Sequence, residues 1–343
     1  MALYAQRVEP GNGRRLVNEM RRVVGRVASN PWGGFVVRRL SRLIASMWVL
    51  VTASFFMIQF VPGDPVRASL GKYATTEMVA ARRAQLGLDH PLGVQYVNYI
   101  KHLLHGDLGT SITSQLPVSS IISQRFPATF QIALLGFITI VVTAVPLGVL
   151  LAALTRGGRR PRTQLGFTSS TVLLAAIPDF LFAVGAVYLF SVNLGWFPIA
   201  GRSGVSSYVL PVLSLSIGSA AVLARIVRVE ILSVLGEDFL RTARAKRLPA
   251  RIIYMRHALP NALTATLTIG GLLLTGLMAG TVLVENVFGW PGLGTVIVSS
   301  IQSKDYQVVQ ALVLVYGSMT LVVNLLVDVL LAALDPRSTI KGG

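Results

Sequence analysis

The 343-residue chain contains no cysteine, which excludes disulfides, zinc–cysteine sites and thiol catalysis. Charged residues are scarce, at 13% of the chain, whereas a soluble domain has about a quarter. Histidine occurs four times at scattered positions, so no metal cluster is expected. The chain is instead rich in apolar residues, 53% of the total. They form long uncharged blocks whose natural solvent is lipid.

The motifs of common nucleotide-binding and hydrolytic sites are also missing. No Gly-x-x-x-x-Gly-Lys-Ser/Thr phosphate loop occurs, since the glycine-rich stretch 289–295 has no lysine. The chain has no His-Glu-x-x-His, and no Gly-x-Ser-x-Gly lies in an apolar block. We therefore expect a chain that is not an enzyme, that holds no cofactor or metal, and that takes its energy from partners.

Six apolar blocks are long enough to cross a bilayer, which takes about 20 residues. Each is predicted to be a helix, because backbone polar groups in lipid must be satisfied within the segment. The first block is longer than the roughly 7–15 residues of a signal-peptide core, and no small-residue cleavage site follows it, so it should be a retained span. The predicted spans are 43–61, 130–154, 170–190, 208–224, 262–284 and 308–327.

The basic residues are distributed unequally between the sides of these spans. Of 31 Lys and Arg residues, 23 lie in the segments 1–42, 155–169, 225–261 and 328–343. Cytoplasmic segments carry the excess of Lys and Arg. This predicts a multi-pass protein of the bacterial plasma membrane with both termini in the cytoplasm. Nucleic acid is not an expected partner, because the bilayer and its lipids account for the net charge of +17.

Two segments outside the spans have their own predicted structure. The outer segment 62–129 has helical patterns at 76–85 and 94–104, which predict a small extracytoplasmic cap. The tail 1–34 has apolar residues at helical spacing flanked by arginines. It is either a basic amphipathic helix on the inner leaflet or a partly disordered tail. Residues 339–343 form a C-terminal tail.

The cytoplasmic segment 225–261 is much longer than a simple connection requires. Glu237 and Asp238 open its middle part and bases follow, the charge order that suits a helix dipole. Pro249 ends the pattern. The segment is therefore a short helix at the membrane face, open to a partner through its small residues, or an ordinary basic loop.

The same segment resembles the coupling loop of bacterial ABC importer permeases, in the dipeptide, oligopeptide and nickel branch. At Arg247 that family has glycine, and arginine resists the turn that glycine allows, which puts the end of the helix in question. Weaker matches in the same order extend the resemblance over about residues 36–338, Pro127-Ala128-Thr129 and the stretch from Glu285 to Gly294 among them. The coupling-loop matches are Arg241, Thr242, Ala243, Arg244, Ala245 and Lys246, then Arg256, His257, Ala258, Leu259 and Asn261.

The resemblance implies an all-α, type I importer permease fold with its transmembrane domain at 35–338. The implied partners are a second, homologous permease, two ABC ATPase domains that bind ATP and Mg, and an extracytoplasmic substrate-binding protein. The implied cargo is di- or oligopeptides, with nickel chelates, glutathione or haem as alternatives. The residues implied in ATPase coupling are Glu237, Asp238, Phe239, Arg241, Thr242, Ala243, Arg244, Lys246 and Arg247.

Further candidate sites lie in the spans and the outer segment. An intramembrane carboxylate usually faces a cavity or a partner, so Asp179, after Pro178, should line the translocation path or its gate. The alternative is a proline kink capped by a neighbouring hydroxyl. Glu285 is expected at the outer mouth, and Asp107, Leu108 and Gly109 where the binding protein docks. An ion-coupled transporter, the rival from another class, would need paired ion sites, for which Asp179 alone is thin support.

Overall fold

The computed structural model describes residues 31–60, 66–67, 75–85 and 87–334. Within that part of the chain every regular element is helical, as predicted, apart from an isolated bridge between Thr110 and Pro117. The tail 339–343 and nearly all of the tail 1–34 lie outside the described residues. The helices are α1 (Pro31–Gln59), α2 (Thr76–Gln85), α3 (Leu92–Leu104), α4 (Val118–Thr155), α5 (Pro161–Ala176), α6 (Asp179–Ala186), α7 (Ser206–Val234), α8 (Asp238–Ala245), α9 (Leu259–Val287), α10 (Leu293–Gln302) and α11 (Tyr306–Leu334).

Five of these helices, α1, α4, α7, α9 and α11, are each long and apolar enough to cross a membrane. A sixth span is present if α5 and α6, with the π-helical extension Val187–Asn193, are counted together. The order matches the six predicted blocks. All the spans are helices because only a helix satisfies its own backbone within one segment in lipid.

The third predicted span, 170–190, is not one straight helix. Its two halves, α5 and α6, meet at an angle of 90°. Ile177 is extended there, with φ −84° and ψ 121°, and Pro178 has φ −59° and ψ 142°. A residue before proline avoids the helical region, and proline has no N–H to donate. The chain therefore breaks at Pro178, and Asp179 begins a new helix where a mid-span position was predicted.

The fourth span continues beyond its predicted end at 224. Because α7 runs on to Val234, Arg228 lies within the helix and not at its end. It is 8% exposed, and its Nε donates to Thr155 Oγ1 of α4 at 3.0 Å. A hydropathy pattern places the apolar block but does not show that a neighbouring helix can accommodate a cation.

Helices α4 and α7 are in close contact along the bundle. A Cβ on Gly148 would lie 2.6 Å from Cβ of Val227 and 2.7 Å from the Ala224 carbonyl oxygen. Farther along, Ser216 Oγ donates to the Gly136 carbonyl at 3.1 Å. Small residues allow such approach, and close van der Waals packing is what holds helices together in lipid. These contacts join the two helices into one packed unit.

The first span is packed against the last. A Cβ on Gly317 of α11 would lie 2.5 Å from a Leu50 methyl of α1. Ser54 Oγ donates to the Gln310 carbonyl and Gln310 Nε2 donates to the Ser54 carbonyl, both at 3.2 Å. In α9, Gly271 meets Val327 of α11 equally closely.

The outer segment contains the two helices expected of it, α2 and α3. Helix α3 lies against α1 through aromatic contacts. The rings of Tyr96 and Tyr99 have centroids 5.2 and 5.6 Å from that of Phe55. The hydroxyls of Tyr96 and Thr52 are 2.8 Å apart. The cap is thus attached to the end of the first span.

Candidate functional site

The predicted coupling segment is a helix, α8, directly after α7. One face of it is held by the protein: Leu240 is fully buried and Ala243 is 8% exposed, both in the core cluster that includes Leu235 and Ile253. The opposite face is open and carries the exposed side chains of Glu237, Asp238, Phe239, Arg241, Thr242 and Lys246. A short helix with one fixed and one free face is suited to contact a partner while staying attached to the span that precedes it.

The end of α8 resolves the question raised by Arg247. The Arg247 N–H donates to the Arg244 carbonyl at 2.8 Å, and the Leu248 N–H donates to the Ala243 carbonyl at 3.4 Å. These are the two bonds of a Schellman motif, which needs a left-handed residue at the position after the cap. Arg247 takes that conformation with φ +54°. A left-handed non-glycine residue costs roughly 1–2 kcal/mol, so the turn forms despite the arginine.

Arg244 is turned inward, unlike the other bases of α8. Its Nη2 donates to the Leu235 carbonyl at the end of α7. Its buried Nε has no hydrogen-bond partner among the described residues. Burial, and then repulsion from Arg156, lower the pKa of Arg244. The predicted coupling residues thus divide into an exposed set and two residues, Ala243 and Arg244, that attach α8 to the bundle.

The exposed Arg241 forms an ion pair with Asp238, at 3.0 Å. Both side chains are largely in solvent, where such pairs contribute little to stability. This pair is therefore available to be rearranged by a partner without loss to the fold.

Asp179 occupies a cleft bordered by two glycines of neighbouring helices. A Cβ on Gly218 of α7 would lie 3.5 Å from Oδ1, and a Cβ on Gly280 of α9 would lie 3.2 Å from Oδ2. Across the described ranges, no hydroxyl, N–H or cation bonds to this carboxylate. Of the two alternatives for Asp179, the arrangement favours a group that faces the interior of the bundle over a kink capped by a hydroxyl. Gly218 was not among the candidate residues; its signal was a lone glycine in an apolar block.

Glu285, predicted at the outer mouth, is enclosed. Its side chain is 0% exposed, and Oε2 accepts from the Gly294 N–H at 2.6 Å. A Cβ on Gly292 would come within 2.4 Å of the carboxylate. Gly294 lies in the first turn of α10, where a carboxylate interacts favourably with the helix dipole. The structure thus gives Glu285 a role in holding α10 and offers no opening onto a path.

The loop between α9 and α10 closes onto the first third of α4. Trp290 is fully buried and its Nε1 donates to the Ala128 carbonyl at 3.1 Å. The Leu293 N–H donates to Thr129 Oγ1 at 2.7 Å. Two stretches that resemble the importer branch separately in sequence, 127–129 and 285–294, therefore form one structural unit. Thr129 and Trp290 were not candidates; their signal was membership of those two motifs.

The predicted docking stretch 107–109 is a tight turn at the end of α3. Asp107 Oδ1 accepts from the Gly109 N–H at 2.9 Å, and Oδ2 lies 3.0 Å from His102 Nδ1. The hydrogen bond from Gly109, and then those from His102, lower the pKa of Asp107. Gly109 has φ +83°, which glycine adopts without strain. Asp107 is exposed, whereas Leu108 is half-buried in a second apolar cluster with Val118 and Leu293.

The chain after this turn is fixed to the start of the last span. Asp305 is 2% exposed and accepts from Ser111 Oγ at 2.5 Å and from the Thr113 N–H at 3.2 Å. The candidate residues therefore lie in four separate places: α8 after the end of α7, the break between α5 and α6, the end of α9, and the turn after α3. They do not converge on one reactive centre.

Comparison with known proteins accounts for this distribution. Residues 144–340 match the family model of the binding-protein-dependent transport system inner membrane component, and residues 34–133 match the model of its N-terminal part. The glutathione transport system permease protein GsiC of Salmonella typhimurium is 39% identical over 307 residues, 90% of this chain and 99% of that protein. GsiC of Pectobacterium atrosepticum is 37% identical over the same coverage.

A solved structure shares the fold. A chain of the MetNI methionine ABC transporter, in an inward facing conformation, superposes with a TM-score of 0.55 at 18% identity. The match covers 63% of this chain and 97% of that one. At that identity the likeness concerns the fold alone.

Proposed function

The chain belongs to the family of binding-protein-dependent transport system inner membrane components, and we propose that it forms one half of a path for short peptides. By family it is a multi-pass permease of an ABC importer and not an enzyme. The other half is a second, homologous permease. Two ATPase domains bind ATP and Mg at the cytoplasmic face. A binding protein delivers cargo at the outer face, beside Asp107.

The proposed cargo is glutathione or a peptide of similar size. The relatives named for glutathione transport favour it over nickel chelates and haem. Glutathione is itself a tripeptide with an ammonium group and two carboxylates. The carboxylate of Asp179 is a group that an ammonium could approach, which supports a cargo with a free amino group over a purely anionic one.

The observation that carries the coupling proposal is the two-faced packing of α8. Its buried face, Leu240, Ala243 and Arg244, joins it to the end of α7. Its open face, with Phe239, Arg241 and Thr242 exposed, is the part that a cleft in an ATPase would hold. A force on the open face is therefore passed to α7.

From α7 the displacement has two routes through the bundle. The close contact of Val227 with Gly148 carries it to α4. The contact of Gly218 with Asp179 carries it to the broken span. ATP-driven closure of the ATPases would thereby move the helices that border the Asp179 cleft and alternate its access. In this scheme both termini are cytoplasmic, the transmembrane domain covers 35–338, 62–129 is the outer segment, and 225–261 is the coupling loop.

The test is co-purification of the ATPases with variants of α8. The variant Arg241→Glu/Thr242→Glu reverses one charge and adds a negative charge on the open face of α8, and it leaves the buried Ala243 unchanged. We expect the chain to insert normally and to lose its ATPases in a pull-down. The matched control, Ala250→Glu/Arg251→Glu, makes the same change of charge at two exposed residues of the same segment outside α8 and should keep the ATPases. Retention of the ATPases by the α8 variant would contradict the proposal.

A further inference from the structure

A cavity of about 380 Å³ opens between α1, α9 and α11. Its α1 wall is Arg39, Arg42, Leu43 and Ser46, which recur at three and four residues and so share one helix face. On α11 the lining residues 321, 324, 325, 328 and 331 recur in the same way. The cavity is thus a slot that runs for about 10 Å along α1 and about 15 Å along α11, at a rise of about 1.5 Å per residue.

One end of this slot is basic. Arg39 Nη1 pairs with Asp328 Oδ2 at 2.8 Å and its guanidinium lies 5.6 Å from the centre of the Phe35 ring. These contacts fix Arg39 and, among the described residues, leave most of its five N–H donors without a protein partner. Arg42 has no ion pair with any residue in the described ranges. With two arginines and one aspartate, the charged lining has a net charge of +1.

A further donor lies deeper in the slot. Thr275 Oγ1 donates to Asn324 Oδ1 at 3.0 Å, which leaves the amide hydrogens of Asn324 for the cavity it lines. The donors Arg42, Ser46 and Asn324 therefore suit an anionic oxygen-rich group. The Arg39–Asp328 pair already neutralises the one acid of the lining, so a cation has no free partner there.

The remaining lining is apolar and open at the surface of the chain. Leu272, Leu321 and Leu325 line the slot beyond the arginines, and Leu272 is 65% exposed. An inorganic anion would leave these leucines unused, whereas a phospholipid places an acyl chain beside its phosphate. The segment 1–30, with six arginines and two glutamates, has the wrong charge to fill the basic end.

We propose that this slot binds an anionic phospholipid, with its phosphate at Arg42 and Arg39 and an acyl chain along Leu272 and Leu321. Basic pockets between membrane helices are suited to such head groups. The lipid would bridge the first span to α9 and α11. The site does not depend on the proposed cargo or on the coupling role of α8. With both termini in the cytoplasm, as proposed above, the slot lies in the inner leaflet.

The test uses the full chain in nanodiscs of phosphatidylcholine, with and without phosphatidylglycerol, and counts retained lipid by native mass spectrometry. We expect wild-type protein to retain phosphatidylglycerol. Arg42→Gln should weaken that retention about fivefold, the effect of one arginine near a membrane surface. Arg38→Gln is the matched control, since Arg38 is exposed on the same turn of α1 but does not line the slot.

The outcomes separate the sources of binding. Equal loss in both variants would show general attraction to the surface and would overturn the site, as would wild-type protein that retains no phosphatidylglycerol. Displacement of the lipid by inorganic phosphate alone would show a simple anion site and contradict the lipid. Equal thermal stability of both variants in phosphatidylcholine alone would confirm that Arg42→Gln is folded. If Arg42→Gln is less stable there, Arg42→Lys is used in its place as the folded comparison, and it should restore the retention of phosphatidylglycerol.

Discussion

Two candidate carboxylates, Asp179 in the third predicted span and Glu285 just after the fifth, have opposite surroundings. Glu285 is enclosed by the loop that it holds, with the Gly294 N–H as its donor and Gly292 against it. Asp179 borders two glycines and receives no hydrogen bond from the described part of the chain. An acid in a span is costly in either case. Its partners therefore decide whether it serves the fold or remains available to cargo.

The largest expected effect separates the two acids by stability. Glu285→Ala should lower the free energy of unfolding by about 1–3 kcal/mol, because it leaves the buried Gly294 N–H without its acceptor. Asp179→Ala should leave it unchanged or raise it, because it removes a charge that has no partner. Denaturant unfolding of the purified chain in detergent measures both, and equal losses would break the distinction.

The next effect concerns the cleft rather than the acid. Gly280→Val should place methyl groups against Asp179, since the first added carbon already lies 3.2 Å from Oδ2. We expect transport by the assembled complex to fall about tenfold, equivalent to roughly 1.4 kcal/mol. Gly276→Val in the same helix is the control, because a Cβ there meets nothing within 4 Å. Similar transport by the two variants would remove the cleft from the path.

How much of this contrast the sequence predicts depends on the residue. The apolar blocks, the cap helices α2 and α3, and the helix α8 follow from periodicity and charge order, and the structure has them. The enclosure of Glu285 does not follow, because its donor Gly294 and its neighbour Trp290 become close only when the loop folds onto α4. Pro178 marked a kink, but a pattern along the chain cannot give an angle of 90° between the two halves.

A smaller effect concerns backbone strain at Arg247, a non-glycine residue in the left-handed conformation. Arg247→Gly should stabilise α8 by about 1 kcal/mol, because glycine adopts the left-handed conformation without the cost that arginine bears. Hydrogen exchange of the Leu248 amide, the last bond of the Schellman motif, should slow accordingly. Faster exchange in the variant would mean that the arginine side chain holds the turn.

The smallest effect is the pH response of the outer turn, where Asp107 accepts from the Gly109 N–H and contacts His102. The pKa of Asp107 is lowered in the folded chain. The stability that Asp107 contributes is therefore fully present at a pH above the ordinary pKa of aspartate, and it is lost as the pH falls through the folded pKa. The protection of the Gly109 amide, measured as its exchange rate relative to the intrinsic rate at each pH, should therefore fall on acidification below about pH 4. Asp107→Asn keeps an oxygen acceptor and should abolish that dependence; an unchanged profile would point to another group.

The most direct measurement of the whole account is glutathione uptake by liposomes that contain either this chain alone or the chain with a second permease, ATPases and binding protein. We predict uptake by the complete assembly, driven by ATP and lost with Arg241→Glu/Thr242→Glu. We predict none by the chain alone under any ion gradient. Ion-driven uptake by the chain alone would contradict the account and support a secondary transporter.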